Sequence, residues 1–323
     1  MYLPDIGFSL WLDFIERDFL QSTFKELIDK KIINGATSNP AIFKEAILNS
    51  PAYKEQLARL QEQDPKSRYE ALAAKDIQEA AKILLPLYEK GDDGFISIEV
   101  DPRLANDAAG TIKEAHRLLK MIDMPNVMIK VPATEAGFEA MAELVGDGIH
   151  VNATLVFSPK QAIGCLDAFE KALANGSKAK SVISIFVSRF DRKLDPQLPA
   201  ALRGKTGIMN AAKIYNIIQE RNLPHTRALF ASTSVKGGDY PAYYYISNLL
   251  APKSINTAPL ATIEAFVEAG EKEPVLPIPN EEIDKFFDAL SDNGVDMQSV
   301  YDQLLQEGLK AFEIAFEEIL KEL

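Results

Sequence analysis

Cysteine is nearly absent from this chain: Cys165 is the only one among 323 residues. A single cysteine can form neither an intramolecular disulfide nor a cluster of thiolate metal ligands. Because Cys165 lies in the helix-like stretch QAIGCLDAFEKAL, we expect it to be a small, buried, apolar side chain.

Long apolar runs and an excess of positive charge are also missing. No stretch approaches the roughly 18 residues that a membrane-spanning helix needs, and the stretch MYLPDIGFSLWLDF lacks the features of a secretory signal. The formal net charge of −12 argues against binding to nucleic acid or anionic membranes. We therefore expect neither partner. An anionic substrate would need a few local cations to hold it against the field of the whole chain.

Short apolar runs rich in β-branched residues alternate with longer amphipathic stretches. The runs predict eight strands, at residues 8–13, 32–39, 94–100, 126–132, 149–157, 181–189, 227–233 and 254–259. Strand–helix alternation implies a parallel sheet with right-handed crossovers, and eight repeats indicate a closed (β/α)8 TIM barrel. The alternative is an open doubly wound sheet, which usually has a glycine-rich turn after its first strand. No such turn follows residues 8–13.

Two segments are longer than a simple barrel requires. Residues 40–93 predict two or more helices in one crossover, and residues 280–323 have a strong helical period that predicts two terminal helices. We expect a single barrel domain over residues 1–323, with a C-terminal helical extension at about 280–323 that could pack over the barrel.

Polar residues cluster at the carboxyl ends of the predicted strands, where barrel enzymes place their catalytic groups. They are Asp13, Thr37, Ser38, Asn39, Glu99, Lys130, Asn152, Thr154, Ser184, Ser232 and Thr233. Some have a structural alternative, since Asp13 or Asn39 could simply cap the following helix.

Histidine is too scarce for a metal site of the usual kind. His116, His150 and His225 are the only three, and none is predicted at the carboxyl end of a strand. Two acids in a barrel could hold a divalent metal, but such sites usually add histidines or further carboxylates. We therefore expect the histidines to be structural and the chain to use no metal.

Lys130 is the most unusual of the polar residues, because the run VMIKVP places its ammonium inside an apolar strand. Facing the helices, it would be buried without a partner, which costs free energy. Facing the mouth of the barrel, a desolvated amine could lose its proton and attack a carbonyl. The alternative is a salt bridge to a buried carboxylate such as Glu99, and the pattern alone leaves both open.

Five motifs together resemble transaldolase, a class I aldolase family that forms Schiff bases. They are TSNP at 37–40, ISIEV at 96–100, MIKVPATEAG at 128–137, VNATLVFS at 151–158 and SIFVSR at 184–189. The later ASTSVK and INTAPLATIEAF stretches also resemble the longer bacterial branch. One departure is Ser188, which stands where the family commonly has glycine.

The resemblance implies a (β/α)8 barrel that reversibly transfers a dihydroxyacetone unit. The donor would be sedoheptulose 7-phosphate or fructose 6-phosphate, and the acceptor glyceraldehyde 3-phosphate or erythrose 4-phosphate. This is the chemistry of the non-oxidative pentose phosphate pathway in the cytoplasm, and it requires no cofactor and no metal. The family includes monomers and homodimers.

The resemblance also implies a role for each matched residue. Lys130 would form the Schiff base, and Glu99 would move protons through a water that Thr154 positions. Asp13 would take the proton from the C4 hydroxyl as the C3–C4 bond breaks. The implied substrate-binding residues are Asn39, Asn152 and Ser184 for hydroxyl groups, and Arg189, Ser232 and Lys236 for the phosphate.

Two other functions remain open at this point. A related lysine aldolase would cleave fructose 6-phosphate and release free dihydroxyacetone, but aldolase-type members tend to carry an amide at the position of Glu99. A non-catalytic sugar-phosphate-binding barrel would not need an amine inside an apolar strand, so the set of Asp13, Glu99 and Lys130 argues against it.

Overall fold

Eight parallel strands close into a barrel in the computed structural model, which describes residues 1–323. The strands are β1 Ser9–Asp13, β2 Gly35–Thr37, β3 Phe95–Glu99, β4 Val127–Pro132, β5 His150–Val156, β6 Ser181–Phe186, β7 Thr226–Ala231 and β8 Ser254–Ala258. Each strand pairs with the next along the chain, and β8 pairs with β1. The predicted (β/α)8 barrel is confirmed, and the open sheet is wrong.

Fourteen α-helices surround and cover the barrel. They are α1 Arg17–Gln21, α2 Thr23–Asp29, α3 Pro40–Asn49, α4 Lys54–Arg59, α5 Pro65–Glu89, α6 Ala108–Ile122, α7 Glu135–Gly146, α8 Pro159–Leu173, α9 Ser188–Leu194, α10 Thr206–Arg221, α11 Tyr244–Asn248, α12 Leu260–Ala269, α13 Asn280–Asp292 and α14 Met297–Glu322. Three of them fall within residues 40–93 and two within 280–323, as predicted. No helix combines the length and the apolar character that crossing a bilayer would take.

Several predicted strand boundaries are wrong: residues 32–39 shorten to β2 at Gly35–Thr37, residues 227–233 end at Ala231 in β7, and residues 181–189 end at Phe186 in β6. The run SVISIFVSR was assigned to a strand as far as Arg189, but β6 ends at Phe186 and Arg189 lies in the first turn of α9. The amide of Ser188 still bonds to the carbonyl of Ser232 beyond β7, at 3.0 Å. The chain then turns into a helix that Asp191 ties down, by accepting from the amide of Gly207 at 3.0 Å. That contact depends on tertiary structure, which the apolar run alone does not reveal.

The barrel separates two apolar cores. The larger lies between the strands and the helix layer and includes Cys165, which is fully buried on α8 as expected. The smaller includes lumen side chains such as Trp11, Phe95, Met128 and Ile255, and it extends to side chains of α9, α13 and α14. Polar side chains remain at both ends of the barrel, with the Arg227–Asp93 ion pair at the amino end and the predicted site residues at the carboxyl end.

None of the three histidines lies at those carboxyl ends, as the sequence predicts. His116 is on α6 and contacts Asp147 at 3.0 Å, His150 is the first residue of β5, and His225 precedes β7.

A bulge interrupts β5 just beyond Thr154. The register with β6 shifts between Ala153 and Val156, and Leu155 adopts a left-handed backbone with φ of 54°. Bulges re-aim side chains beside functional sites. The side chain of Gln161 holds this one, because its Nε2 donates to the carbonyl of Leu155 at 3.0 Å.

The close packing of Trp11 inside the barrel predicts that adding one carbon atom at Gly35 lowers stability. A Cβ on Gly35 would lie 2.6 Å from the indole of Trp11, so Gly35→Ala should lower the free energy of unfolding by about 1–3 kcal/mol through overpacking. Gly146 at the end of α7 is the matched control, since nothing lies within 4 Å of an added Cβ. Denaturant titration of both variants tests this. Equal stability of the two variants would contradict the packing argument.

Candidate active site

A cavity of about 300 Å³ opens at the carboxyl ends of the strands. Eight of the ten predicted site residues line it: Asp13, Asn39, Lys130, Thr154, Ser184, Arg189, Ser232 and Lys236. Glu99 and Asn152 do not line it, although both are buried and paired in register with Lys130. Sequence motifs far apart in the chain therefore meet at one end of the barrel.

Lys130 is buried near the mouth, with its side chain among other polar groups rather than in the helix layer. Its Nζ donates to the backbone carbonyl of Ser38 at 3.0 Å. The proposed salt bridge to Glu99 is wrong, because neither carboxyl oxygen of Glu99 has any hydrogen-bonding partner in the protein. The amine is thus held in place by a neutral acceptor and keeps no carboxylate partner.

Glu99 is a buried carboxyl group with an altered acidity. Burial raises its pKa from an ordinary 4.5 to about 7, with the charge of Lys130 opposing and that of Asp13 adding to the shift. The hydroxyl of Thr154 is likewise buried and has no partner. A carboxyl that titrates near neutral pH can both give and take a proton under ordinary conditions.

Asp13 is the second carboxyl group of the site and is half-buried at the end of β1. Its Oδ1 accepts from the hydroxyl of Thr37 at 2.7 Å, and that hydroxyl lies 2.7 Å from the hydroxyl of Thr257. Burial raises the pKa of Asp13, while Lys130 and Thr37 lower it in part. The capping alternative is wrong for Asp13, because Glu16 caps α1.

Asn39 both caps a helix and lines the cavity, the two roles that the sequence left open. Its side chain caps α3 by accepting from the amide of Ile42 at 3.0 Å, with Pro40 at the first helical position. The residue also lines the cavity. Capping fixes the side chain there, so the structural role supports a binding role.

Asn152 and Ser184 belong to a buried relay of polar side chains. The Ser184 hydroxyl donates to Asn152 Oδ1 at 2.6 Å, and Asn152 Nδ2 donates to the hydroxyl of Ser97 at 3.0 Å. Ser184 lines the cavity and Asn152 lies behind it. In this arrangement Asn152 orients Ser184.

The far end of the cavity carries positive charge. Arg189 forms no ion pair and lies over the rings of Phe186 and Phe157, 5.0 and 6.0 Å from their centroids. Burial lowers the pKa of its guanidinium, and the charge of Arg192 lowers it further. Lys236 also lines this end. These are the local cations that an anionic substrate requires in a protein of net charge −12.

Ser232 contacts Ser188, the residue that stands where the family commonly has glycine. The two hydroxyls lie 3.0 Å apart, and Ser232 has a left-handed backbone with φ of 56°. Strained backbone of this kind tends to occur at ligand sites. The serine at position 188 is therefore accommodated by a hydrogen bond between the two strand ends.

The sequence interpretation missed several residues of the site. Ser97 and Thr257 sit on strands but were not singled out, although both occupy lumen-facing positions near a carboxyl end. Ala311 and Phe312 enter from α14. They could not be found by pattern, since small and apolar residues on an amphipathic helix look like ordinary core.

The raised pKa of Glu99 predicts that replacing its carboxyl group by an amide stabilises the protein more at high pH than at low pH. Between pH 4.5 and 7 the unfolded chain releases a proton that folded Glu99 keeps, so wild-type stability should fall with pH relative to Glu99→Gln. From pH 4.5 to above pH 7, the stability of Glu99→Gln relative to wild type should rise by roughly 3 kcal/mol. Denaturant titrations at pH 5 and pH 8 measure this. Glu143→Gln, exposed on α7, is the control, and parallel pH profiles for wild type and Glu99→Gln would refute the argument.

Comparison with known proteins agrees with this geometry. The sequence model of the transaldolase/fructose-6-phosphate aldolase family matches residues 10–323. A transaldolase of Campylobacter jejuni strain RM1221 is 48% identical over 329 residues, covering 98% of this chain and 99% of that protein. A transaldolase of Helicobacter pylori strain 26695 is 46% identical over 314 residues, covering 97% and 98%. The chain therefore belongs to the transaldolase/fructose-6-phosphate aldolase family.

Proposed function

We propose that this protein is a transaldolase that transfers a dihydroxyacetone unit between sugar phosphates through an imine on Lys130. The observation that carries the proposal is a buried amine without a carboxylate partner, which lines the cavity with Asp13 and is paired in register with the buried Glu99. The donor is sedoheptulose 7-phosphate or fructose 6-phosphate. The acceptor is glyceraldehyde 3-phosphate or erythrose 4-phosphate, in the non-oxidative pentose phosphate pathway of the cytoplasm.

Imine formation begins with the amine of Lys130. Its nitrogen attacks C2 of the ketose, and the resulting carbinolamine must lose water to become an iminium ion. Glu99 supplies the proton for the leaving hydroxyl through a water held by Thr154. The unpartnered oxygens of both residues are free for such a bridge, and the pKa of about 7 suits Glu99 to move protons in both directions.

Asp13 is the base for carbon–carbon cleavage. Its carboxylate takes the proton from the C4 hydroxyl, the C3–C4 bond breaks, and the electron pair moves into the iminium to give an enamine on Lys130. Thr37 orients Asp13 through the 2.7 Å hydrogen bond. Burial raises the pKa of Asp13 and thereby makes it a stronger base than an exposed aspartate.

The remaining residues hold the substrate. Asn39 and Ser184 bind the hydroxyl groups of the three-carbon unit, with Asn152 orienting Ser184. Arg189, Ser232 and Lys236 bind the phosphate at the other end of the cavity. An arginine that has no protein carboxylate partner is well suited to a phosphate, which it can grip through two parallel hydrogen bonds. No metal or cofactor is needed for any step.

Imine formation can be tested directly by chemical trapping. We expect borohydride added with fructose 6-phosphate to fix a dihydroxyacetone-derived mass on wild-type protein, because reduction makes the carbon–nitrogen bond permanent. Lys130→Met should show no such adduct by mass spectrometry. The exposed Lys160→Met is the matched control and should be labelled like wild type. A wild-type protein without adduct would exclude any Schiff-base mechanism.

Transfer and simple cleavage differ in their need for an acceptor. We expect consumption of fructose 6-phosphate to rise at least about tenfold when erythrose 4-phosphate is added, since the enamine otherwise waits on Lys130. Product analysis should then show sedoheptulose 7-phosphate rather than free dihydroxyacetone. Equal rates with and without acceptor would instead identify an aldolase that releases dihydroxyacetone.

A further inference from the structure

The last helix of the chain closes the cavity that the barrel leaves open. Ala311 and Phe312 of α14 line the cavity together with Lys130 and Arg189. The same helix packs along α3 and α5 outside the barrel. The cavity is therefore bounded on one side by residues that no strand and no strand–helix loop supplies.

Phe312 of α14 lies close to the reacting nitrogen. Its ring centroid lies 5.9 Å from Lys130 Nζ, and the side chain is 7% exposed. The ring belongs to the apolar cluster that also contains Leu155, Phe157 and Phe186. Its neighbours other than Lys130 are thus mainly apolar, and the ring offers neither a hydrogen-bond donor nor an acceptor.

Gly308, one turn earlier, lets α14 approach the barrel closely. A Cβ at this position would lie 2.9 Å from Leu155 Cδ2 and 3.3 Å from Arg189 Nη1. Leu155 is the strained residue of the β5 bulge, next to Thr154. The close approach fixes the height of Phe312 above Lys130.

We propose that Phe312 is a specificity-determining residue that keeps water away from the three-carbon enamine on Lys130 and so favours transfer over release. This rests on the proposed function above. The enamine has two fates. In transfer, its nucleophilic carbon attacks the carbonyl carbon of an aldehyde, and a new carbon–carbon bond forms.

Release consumes one water, as the final hydrolysis of the iminium does in transfer, but no aldehyde takes part. The nucleophilic carbon takes a proton, the resulting iminium accepts hydroxide at C2, and the carbon–nitrogen bond breaks to give dihydroxyacetone and the free amine of Lys130. Both the proton and the hydroxide come from the same water molecule in the net reaction. Both routes hydrolyse an iminium, so they differ in whether an aldehyde or a proton from water reaches the nucleophilic carbon. An apolar ring beside the nitrogen offers no hydrogen bond to a water that would protonate this carbon.

The test compares release with transfer in variants of the full-length protein. The measured quantity is dihydroxyacetone released from fructose 6-phosphate without acceptor, divided by sedoheptulose 7-phosphate formed with erythrose 4-phosphate. We expect Phe312→Ala to raise this ratio on the order of tenfold, and Phe312→Leu to raise it less. Phe286→Ala is the matched control, since Phe286 on α13 is equally buried at 8% exposed and does not line the cavity.

Each outcome decides the matter. An unchanged ratio in Phe312→Ala, or an equal rise in Phe286→Ala, overturns the proposal. If Phe312→Ala does not fold, Phe312→Leu is judged by the same criteria. Borohydride trapping on each variant distinguishes the role of Phe312 from the formation of the imine on Lys130. A trapped adduct with an unchanged ratio refutes only the role of Phe312, whereas a wild-type protein that forms no adduct refutes the imine itself.

Discussion

The site depends on a buried amine, one buried carboxyl group and one half-buried carboxyl group, which form no ion pair with one another. Pairing in register places Glu99 beside Lys130, while Thr37 holds Asp13 and the carbonyl of Ser38 holds Lys130 Nζ. Asp13 and Lys130 are thus hydrogen-bonded to neutral groups, where an oppositely charged side chain could otherwise have paired with them. Leaving buried polar atoms unpartnered, as in Glu99 and Thr154, costs about 1–3 kcal/mol per group. The apolar packing of the rest of the barrel must offset that cost.

The two apolar cores stabilise the barrel enough to offset the unpartnered polar atoms, and they leave the cavity open. The strand side chains of the smaller core include Trp11, whose indole packs against Gly35 inside the barrel. Above it, the bulge at Leu155 alters β5 only beyond Thr154, and Gln161 and Gly308 secure the bulge from two sides. Rigid packing of this kind holds reactive groups at fixed distances, which is what catalysis by positioning requires.

Periodicity in the sequence was sufficient for the barrel, its eight strands and the order of its polar residues. The lysine within VMIKVP was informative because an unpaired ammonium in an apolar strand is expensive anywhere except at the barrel mouth. What the pattern could not supply were contacts between distant segments. The end of β6 depends on Asp191 and Gly207, and the two roles of Asn39 depend on its position beside the cavity. Phe312 has no signature at all, since its role comes from where α14 lies.

The position of α14 links the two chemical ends of the cavity. One turn of this helix brings Gly308 against Arg189, and the next brings Phe312 over Lys130. A phosphate bound by Arg189 would therefore act on the same rigid element that covers the nitrogen. Arg189 is itself packed over Phe157 and Phe186, in the apolar cluster that contains Phe312. The phosphate end of the cavity and the ring beside Lys130 therefore share one group of packed side chains.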